Sequence, residues 1–298
     1  MNLGTRTRWA WLLATGVCLA LLVAMPVSAH AQDEAAAQAD ESAAENENIP
    51  TRSLTGPLGL LVHPVFPPDQ ARRVYKPLVD YINQTTDLTV ELMVERNFHR
   101  YWLTARRGEA PALVLEDAHM VAWRMERFGY QPLATALGTR TYSLLTSGAL
   151  ADDSLEDFIS RRISSLPAPS LGYLLLASWF SNPLQQPRIL STATSWLDAV
   201  EMVFSAESDA AIAPDNLVSK YPNLYPVAIS PEFPGVTVAA SPDVPEDVRA
   251  ALLDALLDLQ EDPEHMAVLF ELDIDGFEAS DPADFEGLED WLDAIFSL

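Results

Sequence analysis

The protein has 298 residues, of which 49% are hydrophobic, and its formal net charge is −25 at pH 7 because 43 acidic residues outnumber 18 basic ones. Nucleic acids and anionic membrane surfaces repel such an acidic chain, so neither is expected as a partner. The length allows one large domain or two smaller ones.

Residues 1–31 have the pattern of a secretory signal peptide. Two arginines precede an apolar run from Trp9 to about Ala24, and Ala-His-Ala at 29–31 is a typical cleavage pattern. The run is shorter than the roughly 20 apolar residues of a membrane span, so we expect cleavage and no stable membrane insertion. Cys18, the only cysteine, lies in this run, and the mature chain would have no thiol for a disulfide or a metal.

Residues 32–55 are predicted to form an acidic, solvated tether. Between Gln32 and Asn48 there are acidic residues but no basic one, and such a composition buries too little apolar surface to become ordered. An acidic interaction tail is the alternative. Cleavage removes two arginines and no acidic residue, so the mature net charge would be −27.

Strand and helix patterns alternate in the first part of the folded chain. The apolar runs 58–62 and 112–115 predict buried strands, and the alternating pattern of 88–94 predicts a third. Helical spacing follows each of them. We expect Pro77 to delay or bend the first helix and Gly129 to end the third.

The same alternation continues through the rest of the chain. Further strands are predicted at 142–146, 163–166, 210–213, 226–229 and 236–240. Helices are predicted to begin near Ser154, Gly172, Ser195 and Pro245. The acidic C-terminal segment carries aromatic residues and is predicted to fold back on the body. Together these patterns predict an α/β fold with parallel sheets.

No local signature of an enzyme is present. The sequence lacks a Gly-rich phosphate loop, a G-x-G-x-x-G fingerprint, a G-x-S-x-G elbow and an H-x-x-x-H spacing. The acidic residues are numerous, but their spacing specifies no catalytic pair. We therefore predict a protein that is not an enzyme, with no catalytic residue, no bound metal and no cofactor.

Six stretches of the chain carry a family resemblance: 58–68, 75–82, 112–134, 167–173, 208–214 and 244–259. Their order and spacing resemble the phosphate, phosphite and phosphonate ABC transporter substrate-binding proteins. The resemblance implies a type II periplasmic-binding-protein fold, in which two α/β lobes are joined by two crossover strands around a ligand cleft. Lobe 1 is placed at 56–142 and 235–298, and lobe 2 at 143–234.

Candidate ligand-binding residues follow the ends of the predicted strands, because α/β lobes bind ligands outside the carboxyl ends of their strands. The candidates are His63, Phe66, Glu116, Asp117, His119, Tyr142, Ser170, Tyr173 and Asp215. Purely structural roles remain open for them: a packed turn for Phe66, a solvated face for Glu116 and His119, a helix N-cap for Asp117 and Ser170, hinge core for Tyr142 and a turn for Asp215. Trp179 and Trp196 are interpreted as core residues rather than as an aromatic site.

One stretch departs from the family pattern. The resemblance implies that, in phosphonate-binding members, a Ser/Thr-rich turn before Gly-Tyr supplies hydroxyls and helix N-terminal amides to the anion. Here residues 167–173 read Pro-Ala-Pro-Ser-Leu-Gly-Tyr, which leaves Ser170 as the one hydroxyl at the matching positions. Because oxyanions need several convergent donors, we expect a weakened anion site and an uncharged, zwitterionic or partly aromatic ligand.

The export signal and the resemblance together predict a periplasmic solute-binding protein. Its partners would be a small-molecule ligand and either an ABC transporter permease or a membrane sensor, and ligand would stabilise the closed lobes. Two alternatives remain: a metal-binding protein that uses His63, His119 and carboxylates, and a scaffold of the same fold whose cleft binds nothing. A hydrolase has no motif in its support.

Overall fold

Strands and helices alternate along the residues that the computed structural model describes, which are 56–109, 111–151 and 153–296. The predicted signal peptide and tether lie outside these residues. The strands are β1 Leu58–Val62, β2 Val90–Val94, β3 Leu113–Glu116, β4 Gln131–Ala136, β5 Thr139–Arg140, β6 Tyr142–Ser147, β7 Arg162–Ser164, β8 Arg188–Leu190, β9 Ala210–Pro214, β10 Leu224–Ile229, β11 Phe233–Pro234, β12 Thr237–Ala240 and β13 Phe277–Ala279. The helices are α1 Pro68–Thr85, α2 Phe98–Arg106, α3 Ala118–Phe128, α4 Leu171–Trp179, α5 Trp196–Phe204, α6 Asp215–Val218, α7 Glu246–Asp258, α8 Met266–Leu272 and α9 Asp290–Phe296. None of the helices within the described ranges has the length and apolar character needed to span a bilayer.

The strands form two larger sheets that are mixed rather than wholly parallel. The first has the order β13-β4-β12-β3-β1-β2, and the second has the order β10-β6-β9-β7-β8. β1 runs parallel to β2 and β3, whereas β12 is antiparallel to both β3 and β4. In the second sheet, β6 is likewise antiparallel to β9 and β10. The expectation of parallel sheets is therefore wrong for β6 and β12, the strands that follow the two crossings.

Two adjacent segments carry the chain between the sheets. It leaves the first sheet through β5 and returns through β11, and these two segments pair antiparallel, with Phe233 opposite Arg140. The structure thus has two crossover strands side by side. The residue limits assigned to the lobes from the sequence stay a prediction.

Helix α1 shows how burial overrides a local breaker. It starts at Pro68, whose fixed φ suits the first turn, and it continues through Pro77 to Thr85. The late start suggested by Pro77 is therefore wrong. The predicted apolar face is buried, with Leu78 and Ile82 almost completely covered, and this burial offsets the backbone donor that Pro77 lacks.

The C-terminal segment folds back on the body, as predicted. Phe277 in β13 joins the first sheet and is buried, and Phe285 is buried in the core that extends beneath the second sheet. Helix α9 contacts both α3 and α4. Its Trp291 lies edge-on to Phe233 of a crossover strand, with 5.6 Å between ring centroids. The tail therefore packs against elements associated with both sheets.

Candidate ligand-binding site

A cavity of about 110 Å³ lies between the two sheets, beside the crossover strands. The strand register explains why distant segments meet there. Tyr142 opposes Pro214 because β6 and β9 are antiparallel, so the start of β6 reaches the carboxyl end of β9. The antiparallel pairing of β12 with β3 similarly places Val236, which precedes β12, near Asp117, which follows β3.

Aromatic side chains form much of the cavity wall. The aromatic lining residues are Phe66, Tyr75, Tyr142, Trp196, Phe233 and Phe277. Tyr142 and Trp196 meet almost edge-on with 5.5 Å between centroids, and Phe66 and Tyr75 are 6.1 Å apart. Burial, and then the charge of Asp117, raise the pKa values of Tyr75 and Tyr142 above 10. Both phenols therefore stay protonated near neutral pH and remain hydrogen-bond donors.

Asp117 brings a negative charge to this wall. Burial alone would raise its pKa, but the positive charge of His63, and then those of His119 and Arg140, lower its pKa below 3.8. The carboxylate is therefore ionised at neutral pH. Its Oδ2 lies 3.5 Å from His63 Nδ1, a distance too long for a strong hydrogen bond. Arg140 also lines the cavity, but its guanidinium already donates to Asp215 at 2.9 Å.

The Asp117 carboxylate is not used as a helix cap. Asp117 occupies the N-cap position of α3, yet its side chain accepts no capping hydrogen bond. The Nδ1 atom of His63 is buried and has no hydrogen-bond partner among the described residues. Two polar groups of the cavity wall thus lie side by side, without strong hydrogen bonds to the part of the chain that the structure describes.

The structure brings four of the predicted residues to the cavity, namely His63, Phe66, Asp117 and Tyr142. Sequence reasoning missed several other lining residues, including Tyr75, Arg140 and Phe233, and it interpreted Trp196 only as core. Tyr75 lies on α1, whose buried face was predicted. Arg140 and Phe233 become predictable as lining residues only once the crossover strands β5 and β11 are known to pair.

The other candidates lie outside the cavity lining. Glu116 is fully buried in an ion pair with Arg124, whose Nε donates to it at 2.7 Å. His119 Nε2 lies 2.9 Å from the carbonyl oxygen of Pro169, and burial lowers the pKa of His119. Asp215 accepts the hydrogen bond from Arg140, so it adjoins the cavity without lining it.

The predicted remnant of the anion turn is occupied by contacts within the protein. The Ser170 hydroxyl donates to the carbonyl oxygen of Leu166 at 3.1 Å and accepts from the Tyr173 amide at 3.4 Å. Ser170 is fully buried, and neither Ser170 nor Tyr173 lines the cavity. Within the described ranges, no three His, Cys, Asp or Glu residues gather in a group that could hold a metal ion.

A family model described as "ABC transporter, phosphonate, periplasmic substrate-binding protein" matches residues 60–285. The chain belongs to this family. The resemblance found in the sequence is thereby confirmed, and the family is one of periplasmic substrate-binding transport proteins rather than of enzymes. A search of curated protein sequences gave no match.

Several solved structures share the fold. PhnD1 from Prochlorococcus marinus, solved with methylphosphonate, gives a TM-score of 0.66 at 16% identity over 80% of this chain and 98% of that chain. A Xanthomonas citri protein bound to ATP gives 0.62 at 18% identity, over 80% and 96%. The binding protein component of a phosphonate ABC transporter from Pseudomonas aeruginosa gives 0.65 at 14% identity, over 79% and 85%. The two-lobe type II periplasmic-binding-protein fold is therefore confirmed.

Proposed function

We propose that the chain is exported and serves an ABC importer by closing its two lobes around a small molecule in the cavity described above. One observation carries the proposal: residues from both sheets and from both crossover strands line a single cavity. A ligand that contacts both lobes binds the closed state better than the open one, and it therefore stabilises closure. The lobes are taken as 56–142 with 235–298, and 143–234.

We also propose that phosphate and simple phosphonates bind weakly or not at all. Anion sites in proteins use free amides at helix N-termini and several convergent donors. Here α1 begins with Pro68, which has no amide hydrogen, and α3 begins beside the negative charge of Asp117. At α4, the hydroxyl of Ser170 is already bonded within the protein. These features support the expected loss of the family's anion site.

Calorimetry on the mature chain tests the ligand part of the proposal. In physiological salt, phosphate and methylphosphonate should show no micromolar binding. A solute from a wider panel should raise the melting temperature, because a ligand that binds only the folded state at about 100 times its Kd stabilises it by about 2.7 kcal/mol. Micromolar phosphonate binding that Ser170→Ala abolishes would contradict the proposed loss of the anion site.

Export and transport are tested separately. N-terminal sequencing of periplasmic material should show a chain that begins near Gln32, and an intact Met1 would refute cleavage. A strain that lacks the protein should lose uptake of the bound solute. Unchanged uptake in that strain would point instead to a membrane sensor as the partner.

A further inference from the structure

The charge pattern of the cavity is the opposite of what an anionic ligand needs. The Asp117 carboxylate is ionised, lines the cavity and makes no strong hydrogen bond to a described residue. The nearest guanidinium on the wall, that of Arg140, is already paired with Asp215 at 2.9 Å. An ionised carboxylate in a largely apolar cavity is costly unless a counter-charge reaches it.

The polar neighbour of Asp117 leaves this carboxylate available to a donor-rich ligand. His63 is 8% exposed, lines the same cavity, and its Nδ1 has no hydrogen-bond partner among the described residues. This Nδ1 lies 3.5 Å from Asp117 Oδ2, too far for a strong hydrogen bond, so the carboxylate oxygens are left to accept from a ligand. A ligand group with more than one N–H donor satisfies both oxygens.

The rest of the wall suits a cation as well. Aromatic faces attract positive charge, and the cavity is lined by the rings of Phe66, Tyr75, Tyr142, Trp196, Phe233 and Phe277. The volume of about 110 Å³ is smaller than the roughly 150 Å³ of a cavity that holds benzene, so the group inside must be compact. The carboxylate, the aromatic wall and the size of the cavity agree on one ligand class.

We infer that the solute carries a compact ammonium group, and that Asp117 binds this group inside the aromatic wall of the cavity. The inference rests on the proposed solute-binding function and specifies its ligand class. Ammonium N–H groups donate to the Asp117 carboxylate, while the alkyl part contacts the rings.

Three probes with the same number of non-hydrogen atoms separate charge from shape: tert-butylammonium, tert-butanol and methylphosphonate. Binding to the mature chain is measured by calorimetry at constant salt and pH. The ammonium probe should bind at least about tenfold more tightly than tert-butanol, because a hydrogen bond to a charged group contributes more than one between neutral groups. Methylphosphonate should bind more weakly than either. The inference is overturned if tert-butanol or methylphosphonate binds as tightly as tert-butylammonium.

Two variants test whether Asp117 causes the preference for tert-butylammonium over tert-butanol. Asp117→Asn keeps the shape of the side chain and should remove most of the preference for tert-butylammonium over tert-butanol. Asp87→Asn is the matched control: Asp87 is exposed, lies outside the cavity lining and loses the same charge, so the preference should persist. The inference is overturned if the preference survives Asp117→Asn or if Asp87→Asn removes it equally. Either result would assign the preference to the overall negative charge of the protein.

A third variant tests the inference if Asp117→Asn does not fold, which circular dichroism would reveal. Phe66→Leu keeps an apolar side chain but removes an aromatic face, and it should weaken tert-butylammonium by about two- to fivefold with little effect on tert-butanol. Equal weakening of both probes would count against the aromatic contribution. If a wide panel yields only uncharged ligands, the ligand class fails while the proposed function stands. If the panel yields no ligand at all, the proposed function itself fails.

Discussion

Replacement of Glu116 by glutamine should destabilise the protein strongly without changing ligand affinity. Glu116 accepts from Arg124 Nε at 2.7 and 3.0 Å and from Nη2 at 2.8 Å, and the two side chains are 0% and 1% exposed. Arg124 also lies over the ring of Tyr130, 5.4 Å from its centroid. Glu116→Gln removes the counter-charge and leaves the guanidinium buried and uncompensated.

The expected cost in free energy of unfolding is large because no water reaches the buried Arg124 guanidinium once its partner charge is removed. Breaking a buried ion pair by removal of one partner costs about 3–5 kcal/mol. For a chain of this size, each 1 kcal/mol lowers the melting temperature by about 2–4 °C, so Glu116→Gln should lower it by about 6–20 °C. Urea unfolding followed by circular dichroism measures the free energy directly, and Glu116→Gln with Arg124→Met should recover part of it.

A half-exposed pair in the second sheet region provides the control. Arg161 and Asp153 are 3.2 Å apart, but their side chains are 37% and 27% exposed, so Asp153→Asn should cost less than about 1 kcal/mol. Folded Glu116→Gln should bind the solute as the wild type does, because Glu116 does not line the cavity. A loss of affinity at unchanged stability would refute this reasoning and restore Glu116 as a ligand contact.

Three further changes test the crossings and the contacts between the lobes. Gly235→Ala should destabilise by about 1–3 kcal/mol in urea unfolding, because the new Cβ would lie 2.5 Å from a backbone carbonyl oxygen. Lys220 and Asp273 lie in different predicted lobes and form an exposed ion pair at 2.9 Å, which favours the closed state. Asp273→Asn removes this pair and should weaken solute binding by up to about fivefold at low salt, measured by calorimetry. Burial lowers the pKa of His119 below 6.5, so unfolding takes up a proton on acidification: stability should fall as the pH drops below about 6.5, and His119→Gln should flatten that fall in urea titrations.

Strands and helices whose apolar residues recur at regular spacing were predictable from the sequence, and those without such spacing were not. The buried strand 58–62 and the amphipathic face of α1 follow directly from apolar spacing. Strand β4 was missed because Pro132 argues against a strand interior, and the structure accommodates it with a register shift opposite β12. Helix α8 was missed because its seven residues lie within the acidic segment that was predicted only to fold back.

Strand direction could not be predicted from local patterns. A run such as 238–240 is apolar throughout because it is buried on both faces, and this composition is the same in parallel and antiparallel pairs. Only the two crossings decide the direction of β12, and they depend on contacts between segments far apart in the chain. The pairing of Phe233 with Arg140 is such a contact, and it also brings both residues to the cavity.

The rule that α/β lobes bind ligands outside the carboxyl ends of their strands located the correct edge of the sheet, but it could not choose between neighbouring residues. Glu116 and Asp117 follow one another at the end of β3, and side chains alternate between faces along a strand, so only one of them can point into the cavity. Because β3 is buried at every position, its hydrophobic pattern does not reveal which one. The deciding signal lies in α3, where Arg124 is buried on the same helix as Val121, and a buried guanidinium requires a buried carboxylate. Assigning Glu116 to Arg124 leaves Asp117 as the carboxylate available to a ligand.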